Sequence, residues 1–154
     1  MRLFRRTVLA LAAAGGLAGL GACELVGGQT PLISLAGLER DSRSPDGSGF
    51  LATLDFGNRT GYAVLIERVE LLVEEPGQGD AGGPDLAEGA IDLQEFWIVA
   101  YDVEQVTVPV TARPGIDVGA ILDAATLEPP GVVLRGRVWV NHDPRPVPFG
   151  PLPR

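Results

Sequence analysis

The chain has 154 residues with 12 arginines, no lysine and 20 acidic residues, which gives a formal net charge of −8 at pH 7. Such an acidic surface repels phosphate backbones and anionic headgroups, so the composition argues against nucleic-acid binding and against a polybasic membrane contact. The length fits one domain with one buried core rather than two domains, and the single cysteine excludes a disulfide within the chain.

Residues 1–22 have the order of charged, apolar and small residues that is typical of a secretory signal peptide. Arg2, Arg5 and Arg6 precede an apolar run of about 12 residues, which is too short to span a bilayer. The paired arginines leave the twin-arginine export route open, but such pairs are common in ordinary signals, so we favour the general secretory route.

The segment Leu20-Gly21-Ala22-Cys23 follows this run. It resembles the bacterial lipobox, which implies that the signal is cut before Cys23, that the thiol takes a diacylglyceryl group, and that the new amino terminus takes an acyl chain such as palmitate. Several chains hold a protein firmly, because each buried methylene contributes about 0.8 kcal/mol. The alternative is an ordinary signal with Cys23 as a small apolar side chain, but a secreted protein rarely leaves one thiol unpaired. Glu24 favours the outer membrane, facing the periplasm.

The mature chain is then a short tether, residues 23–31, followed by one domain, residues 32–154. At about 3.5 Å per residue the tether reaches at most roughly 25–30 Å, so the domain lies close to its membrane. Loss of three arginines with residues 1–22 leaves 132 residues with 9 arginines and 20 acids, a formal charge of −11.

Alternation of apolar and polar residues predicts that the domain is built mostly of strands. The predicted strands are 32–38, 50–56, 62–73, 91–100, 103–111 and 132–140. The same face of 50–56 carries Phe50, Ala52, Leu54 and Phe56, and in 103–111 the residues in phase are Val106, Val108 and Val110. In 62–73 one face carries Leu65, Val69, Leu71 and Val73, and the opposite face carries Arg68, Glu70 and Glu74. In 132–140 the solvated face carries Arg135, Arg137 and Trp139. The inward residues Leu134 and Val138 flank Gly136, whose missing side chain would let the opposite sheet or a ring approach closely.

One segment, 116–125, is predicted to be a helix, since Pro114-Gly115 precedes it and Pro129-Pro130 follow it. Two segments, 41–49 and 75–89, are predicted to be mobile loops. Six or seven short strands with turns between them predict an all-β fold, an antiparallel β-sandwich with one short helix.

The order of these elements carries a family resemblance. The matching elements are 32–38, 50–56 followed by Asn58-Arg59-Thr60, 62–72, 98–100, 106–110, the helix, 134–138 and Val147-Pro148-Phe149. This order resembles the water stress and hypersensitive response (WHy) domain of the late embryogenesis abundant group 2 (LEA type 2) proteins, which bacteria also carry as lipoproteins. The resemblance implies an immunoglobulin-like or fibronectin III-like sandwich without a catalytic site. It also implies a role in protecting other proteins or membranes under water stress.

Asn58 has an interpretation of its own. That family usually has Asn-Pro-Asn at this strand end, and Arg59 and Thr60 depart from the motif. An asparagine at a strand end can accept backbone hydrogen bonds and hold a tight turn with Gly61.

The sequence offers little for catalysis. His142, the only histidine, lies in a turn-like stretch, and Asp143 beside it could orient it in a serine triad. The candidate serines, which lack a nucleophile-elbow pattern, are Ser34, Ser42, Ser44 and Ser48. Zinc prefers nitrogen and sulfur ligands, which one histidine and a lipidated cysteine cannot supply. We therefore predict no enzyme, no catalytic residue, no cofactor and no metal.

Two binding alternatives remain open. Asp80, Asp85 and Glu88 lie in a glycine-rich segment and could offer calcium oxygen ligands, but the nonapeptide-like motif occurs once, so a solvated loop is favoured. Trp97 and Trp139 could stack sugars, but both lie in strands, where packing is the commoner use.

These observations predict a lipoprotein of the bacterial cell envelope whose partners are the lipid membrane, through acylated Cys23, and an unidentified envelope protein. Its expected function is non-catalytic, as stress or desiccation protection or the binding of partner proteins. The alternative is an accessory docking subunit of an envelope assembly, secretion or cell-wall machine, and an enzyme is a third, more distant class.

Overall fold

The structure of the protein is a computed structural model that describes residues 30–77 and 82–152. The strands are β1 Leu32–Arg40, β2 Gly49–Gly57, β3 Val64–Glu74, β4 Asp85–Ile98, β5 Val103–Ala112, β6 Val133–Val140 and β7 Val147–Phe149, and the helix is α1 Val118–Ala125. The predictions that concern the signal peptide, Cys23, most of the tether and Asp80 lie outside the described residues.

The seven strands form one antiparallel sheet in the order β1-β2-β5-β4-β3-β6-β7. Strand β4 pairs with β3 over most of its length, but it joins β5 through three residue pairs only. The sheet curls, so the inward faces of both halves share one core cluster. The prediction of an antiparallel all-β fold with one short helix is confirmed. Its finer, immunoglobulin-like sandwich form stays a prediction.

Strands β2 and β5 show how sequence alternation produces the core. Side chains of a strand point to opposite faces in turn, so every second apolar residue reaches the interior. The buried residues of these strands are Phe50, Ala52, Leu54, Phe56, Val106, Val108, Val110 and Ala112. This is the phase that the sequence predicted for both strands.

Strand β3 changes phase at a β-bulge. Ile66 pairs with Val140 and Arg68 pairs with the adjacent Trp139 of β6, so Glu67 is the extra residue of the bulge. The core residues of β3 are Val64, Ile66, Val69, Leu71 and Val73. The prediction that Leu65 shares the face of Val69 is wrong, because the bulge shifts the alternation by one residue. Leu65 is buried but lies outside the core cluster.

Strand β4 begins inside the segment 75–89 that was predicted to be a loop. It starts at Asp85 and already buries Leu86 in the core. Gly89 lets β4 cross close to β5, since a Cβ atom at this position would lie 3.0 Å from the Cα of Val110. The predicted loop is therefore wrong in its second half, because glycine here serves a close strand contact.

Glu74 and Arg135 were both predicted to face solvent, and this is wrong for Glu74. Glu74 is only 8% exposed. Its Oε2 atom lies 3.2 Å from Nε of the half-buried Arg135, although these two shielded atoms do not meet at a hydrogen-bonding angle. Gly82 lies against Glu74, since a Cβ there would lie 2.6 Å from Oε1 of Glu74. The residues just before β4 thus approach a side chain that the alternation alone places in solvent.

The prediction that the missing side chain of Gly136 in β6 lets another group approach closely is confirmed. The ring of Phe149 in β7 and the backbone carbonyl of Glu70 in β3 occupy the space that a Cβ would need. Leu134 and Val138, on either side, are buried in the core. The approaching group is therefore a ring on the neighbouring edge strand.

The predicted helix 116–125 is confirmed as α1. The side chain of Asp117 caps its start by accepting a 2.9 Å hydrogen bond from the backbone N–H of Ala120. The buried residues of α1, which pack on the core, are Val118, Ile121 and Ala125. Among the described residues, no helix is long and apolar enough to cross a membrane.

The antiparallel order gives the sheet two ends. The end that we call the tether end carries the start of β1 and the loops 58–63, 99–102 and 141–146. The opposite end, which we call the helix end, carries α1, the loop 41–48, residues 75–77 and 82–84, and residues 150–152. Because β1 begins at Leu32, the chain from Cys23 reaches the domain at the tether end.

Candidate functional site: an apolar rim at the tether end

Asn58 ties two loops of the tether end together. Its side chain is 2% exposed. The Nδ2 group donates to the backbone carbonyls of Tyr62 at 2.7 Å, Ile98 at 3.0 Å and Val99 at 3.1 Å. A buried carbonyl is costly to leave without a hydrogen-bond donor. The Asn58 side chain therefore stabilises both loops by supplying that donor.

The turn predicted at Asn58 is confirmed, but it is only half of the role of this residue. Oδ1 accepts hydrogen bonds from the backbone N–H and the hydroxyl of Thr60, at 2.9 and 2.8 Å, as expected of an asparagine turn. The donated bonds to Ile98 and Val99 join positions 40 and 41 residues apart. No local signal in the sequence indicates them.

The exposed large apolar side chains gather at this same end. Eight such side chains occur among the described residues, and six of them lie at or beside the tether end. These six, which we call the apolar rim, are Leu32, Tyr62, Trp97, Val99, Tyr101 and Val103. The other two, Ile116 and Leu127, lie at the helix end. Exposed apolar side chains that gather at one end of a small domain are a candidate interaction site.

Three members of the rim, Leu32, Val103 and Tyr101, lie against glycines at this end. A Cβ atom on Gly57 would lie 3.8 Å from Cβ of Leu32 and 3.8 Å from Cγ2 of Val103, so these side chains flank one glycine. A Cβ atom on Gly61 would lie 3.3 Å from the hydroxyl of Tyr101. The Tyr101 side chain therefore lies against the β2–β3 loop.

Tyr101 is held in a backbone conformation that bulky residues rarely adopt. Its φ angle is 62°, and its side chain is 76% exposed. A non-glycine residue in this region costs on the order of 1–3 kcal/mol and persists only where the surroundings enforce it. Asp102 enforces it here, since its carbonyl accepts from the N–H of Asn58 at 2.8 Å and its N–H donates to Val99 at 3.3 Å. The fold thus presents an aromatic side chain to the outside at some conformational cost.

The two tryptophans have different environments. Trp97 belongs to the rim and is 52% exposed, so the interpretation that it packs inside the sheet is wrong. Trp139 is half-buried on the outward face of β6, where the guanidinium carbons of Arg68 and Arg137 lie 5.7 and 5.8 Å from its ring centroid. The two arginines therefore flank its ring.

Ion pairs fix the two arginines over Trp139. Arg68 contacts Asp92 at 2.7 Å and Glu70 at 3.0 Å, and Arg137 contacts Glu70 at 2.6 Å. The hydrogen bond to Asp92, and then the one to Glu70, raise the pKa of Arg68 above its usual value. This face is a network of paired charges around one ring.

His142 pairs with Glu67 rather than with Asp143. The carboxylate of Glu67 lies 2.7 Å from Nδ1 of His142 and accepts from its backbone N–H at 2.8 Å. Asp143 instead accepts from the N–H of Arg145, which lowers the pKa of Asp143. The serines Ser42, Ser44 and Ser48 lie in the loop of the helix end, opposite to His142. The structure therefore does not bring them together with His142 as a triad.

The candidate calcium ligands Asp85 and Glu88 lie on β4 and share one arginine. The Nη2 atom of Arg113 is 2.9 Å from Asp85 and 3.6 Å from Glu88. Within residues 30–77 and 82–152, no three histidine, cysteine or acidic side chains converge as metal ligands.

Comparison with known proteins finds no family model and no curated protein that matches this chain. The functional argument therefore starts from the chemistry of the surface. The apolar rim is preformed, aromatic and exposed, which suits binding to another apolar surface.

Proposed function

We propose that the protein is a lipid-anchored lipoprotein of the bacterial cell envelope that acts by binding or shielding a partner, without catalysis. The observation that carries this proposal is the apolar rim on the tether end. Six exposed apolar side chains on one end of a small domain offer a contact surface. A network of hydrogen bonds centred on Asn58 holds the loops that present it.

The anchor in this proposal is acylated Cys23, cleaved from signal peptide 1–22. The lipobox-like segment supports it, and so does the short distance along the chain to the domain. Strand β1 begins at Leu32, nine residues after Cys23. Glu24 favours the outer membrane, with the domain facing the periplasm.

We infer further that the curled sheet is an immunoglobulin- or fibronectin III-like sandwich of the WHy type. The strand order supports this, because β1, β2 and β5 form one half and β4, β3, β6 and β7 the other. Only three residue pairs connect the halves. A role in water stress follows through this resemblance, and a fold of this kind hosts many functions.

The second candidate is an accessory docking subunit of an envelope machine. The surface around Trp139 favours it, since tryptophan and arginine are the residues most enriched where protein partners bind tightly. Arg68 and Arg137 flank this ring on an otherwise acidic domain, whose charge argues against a nucleic-acid partner.

Two measurements on the same strains separate these functions. The first is survival of a deletion strain after drying or osmotic shock, with the wild-type gene restored as control. The second is a pull-down of the tagged full chain from crosslinked envelopes. Loss of survival without a stoichiometric partner supports protection, whereas one specific partner that is lost on Trp139→Ala supports docking. Normal survival together with the absence of any crosslinked partner would contradict both.

A further inference from the structure

The apolar rim lies at the point where the tether meets the domain, and this placement indicates what covers it. We propose that the rim contacts the interfacial layer of the bilayer that holds the anchor, so that the domain docks end-on to the membrane. This inference rests on the proposed lipid anchor at Cys23.

The first argument is the length of chain between the anchor and the rim. Leu32 is both the first residue of β1 and a member of the rim. It is the ninth residue after Cys23, a span of at most about 30 Å when fully extended. The anchor therefore ties Leu32, and with it the tether end, to within about 30 Å of the membrane.

The second argument is the composition of the rim. Three of its six members are aromatic residues with a polar atom, Tyr62, Trp97 and Tyr101. Tyrosine and tryptophan are enriched at membrane interfaces, where the ring meets apolar chains and the polar atom meets headgroups or water. The aliphatic members Leu32, Val99 and Val103 add apolar surface without charge.

The third argument concerns charge. The mature chain carries a formal charge of −11, so anionic headgroups repel the domain as a whole. In the loops of the tether end Arg59 and Arg145 are balanced by Asp102 and Asp143, which leaves no basic patch for an electrostatic contact. The contact with lipid is therefore apolar, and high salt should not weaken it.

The rim is also ready to bind without rearrangement. Asn58 fixes the loop of Tyr62 to the loop of Val99, and Asp102 holds Tyr101 in its outward conformation. A preformed surface does not lose loop entropy when it binds, which favours even a shallow contact.

Two single-cysteine probes test the orientation of the full, matured chain. Acylated Cys23 cannot react with a maleimide, so Tyr62→Cys and Leu127→Cys each offer one thiol for an environment-sensitive nitrobenzoxadiazole dye. Both positions are exposed, at 75% and 58%, but they lie at opposite ends. The proteins are reconstituted into phosphatidylcholine vesicles, with or without a brominated phosphatidylcholine that quenches dyes in the bilayer.

The expected result is a blue-shifted emission and bromine quenching for the dye at position 62, and neither effect at position 127. Val99→Ser together with Tyr101→Ser should remove the quenching at position 62 while the protein still floats with the vesicles. Ile116→Ser, at the helix end, is the matched control and should leave the quenching unchanged.

Other results overturn the inference in distinguishable ways. Equal and weak quenching at both positions, in protein that floats with the vesicles, overturns end-on docking and leaves the anchor intact. A dye at position 62 that is shielded in native envelopes, but not in lipid vesicles, overturns lipid in favour of a protein partner. Wild-type protein that takes up the maleimide dye overturns the anchor, and end-on docking with it.

Discussion

The side-chain amide of Asn58 donates a 3.0 Å hydrogen bond to the backbone carbonyl of Ile98, which lies 40 residues further along the chain. This bond joins the last residue of β4 to the residue that follows β2. Because both groups are buried, neither can exchange its partner for water. One asparagine therefore fixes the geometry on which the apolar rim depends.

Replacement of Asn58 tests this role. Asn58→Ala should lower the free energy of unfolding by about 1–3 kcal/mol, since it leaves buried carbonyls without a donor. Asn58→Asp should destabilise the domain at least as much at neutral pH, because a carboxylate keeps the acceptor for Thr60 but cannot donate to Ile98. Urea denaturation measures both, with Arg59→Ala as an exposed control. If Asn58→Asp were as stable as the wild type, Asn58 would be only a turn residue.

Arg135 and Arg137 lie on the same face of β6, but their removal should have different effects. Arg137→Ala breaks an exposed ion pair with Glu70 and should cost at most about 1 kcal/mol. Arg135→Ala leaves the buried carboxylate of Glu74 without a cation and should cost about 1–3 kcal/mol. Thermal melts compare the two variants. Adding Glu74→Gln to Arg135→Ala should recover part of the loss, and an unchanged melt for Arg135→Ala would show that Glu74 needs no cation.

Asp46 should titrate well below an ordinary aspartate. Its carboxylate accepts from the hydroxyl and N–H of Ser48 and from the hydroxyl of Ser44, and these bonds lower its pKa from 3.8 to about 2. The folded-state pKa is the lower one, so the ionised group stabilises the loop above pH 3.8. That contribution is lost as the pH falls from 3.8 toward 2.

An NMR titration of the Asp46 carboxyl carbon checks this pKa. Ser48→Ala removes the hydrogen bond with the largest effect and should raise the midpoint toward 3.8. Ser42→Ala is the matched control in the same loop and should leave the midpoint unchanged. Equal midpoints in the wild type and in Ser48→Ala would show that Ser48 does not hold the carboxylate.

Cys23→Ser tests the anchor. The substitution removes the thiol that would take the lipid, so the protein should leave the membrane fraction or remain as unprocessed precursor. Incorporation of labelled palmitate measures acylation directly, and Gln29→Ser serves as the control that keeps Cys23. Palmitate incorporation that is unchanged in Cys23→Ser would exclude acylation at this residue.

The local elements of the fold were predictable from the sequence. In a strand with one buried face, the alternation of apolar residues from Phe50 to Phe56 predicts which side chains point inward. It therefore defined the inward face of β2. The helix was equally clear, because Pro114-Gly115 and Pro129-Pro130 stop any longer helical segment. These signals act over a few residues, so the sequence contains them in full.

The predictions that were wrong concern residues whose position depends on a contact with another part of the chain. The alternation of β3 changes phase at Glu67. This residue has no partner in β6, and only the pairing of the two strands reveals that. The start of β4 was not predicted, because a glycine such as Gly89 is typical of a loop. Its role here, to allow β5 to approach closely, depends on the pairing of the two strands. Glu74 looked solvated because strand alternation does not indicate that Gly82, before β4, lies against its carboxylate.

The sequence by itself determined the acidic charge, the lipobox-like segment, the strand alternation and the absence of lysine chemistry. Only the tertiary structure decided that Leu32, Tyr62 and Val103 lie at the same end of the sheet. They are far apart along the chain, and none stands out from its neighbours in the sequence. They meet because antiparallel pairing returns every second strand boundary to the same end of the sheet, next to the tether.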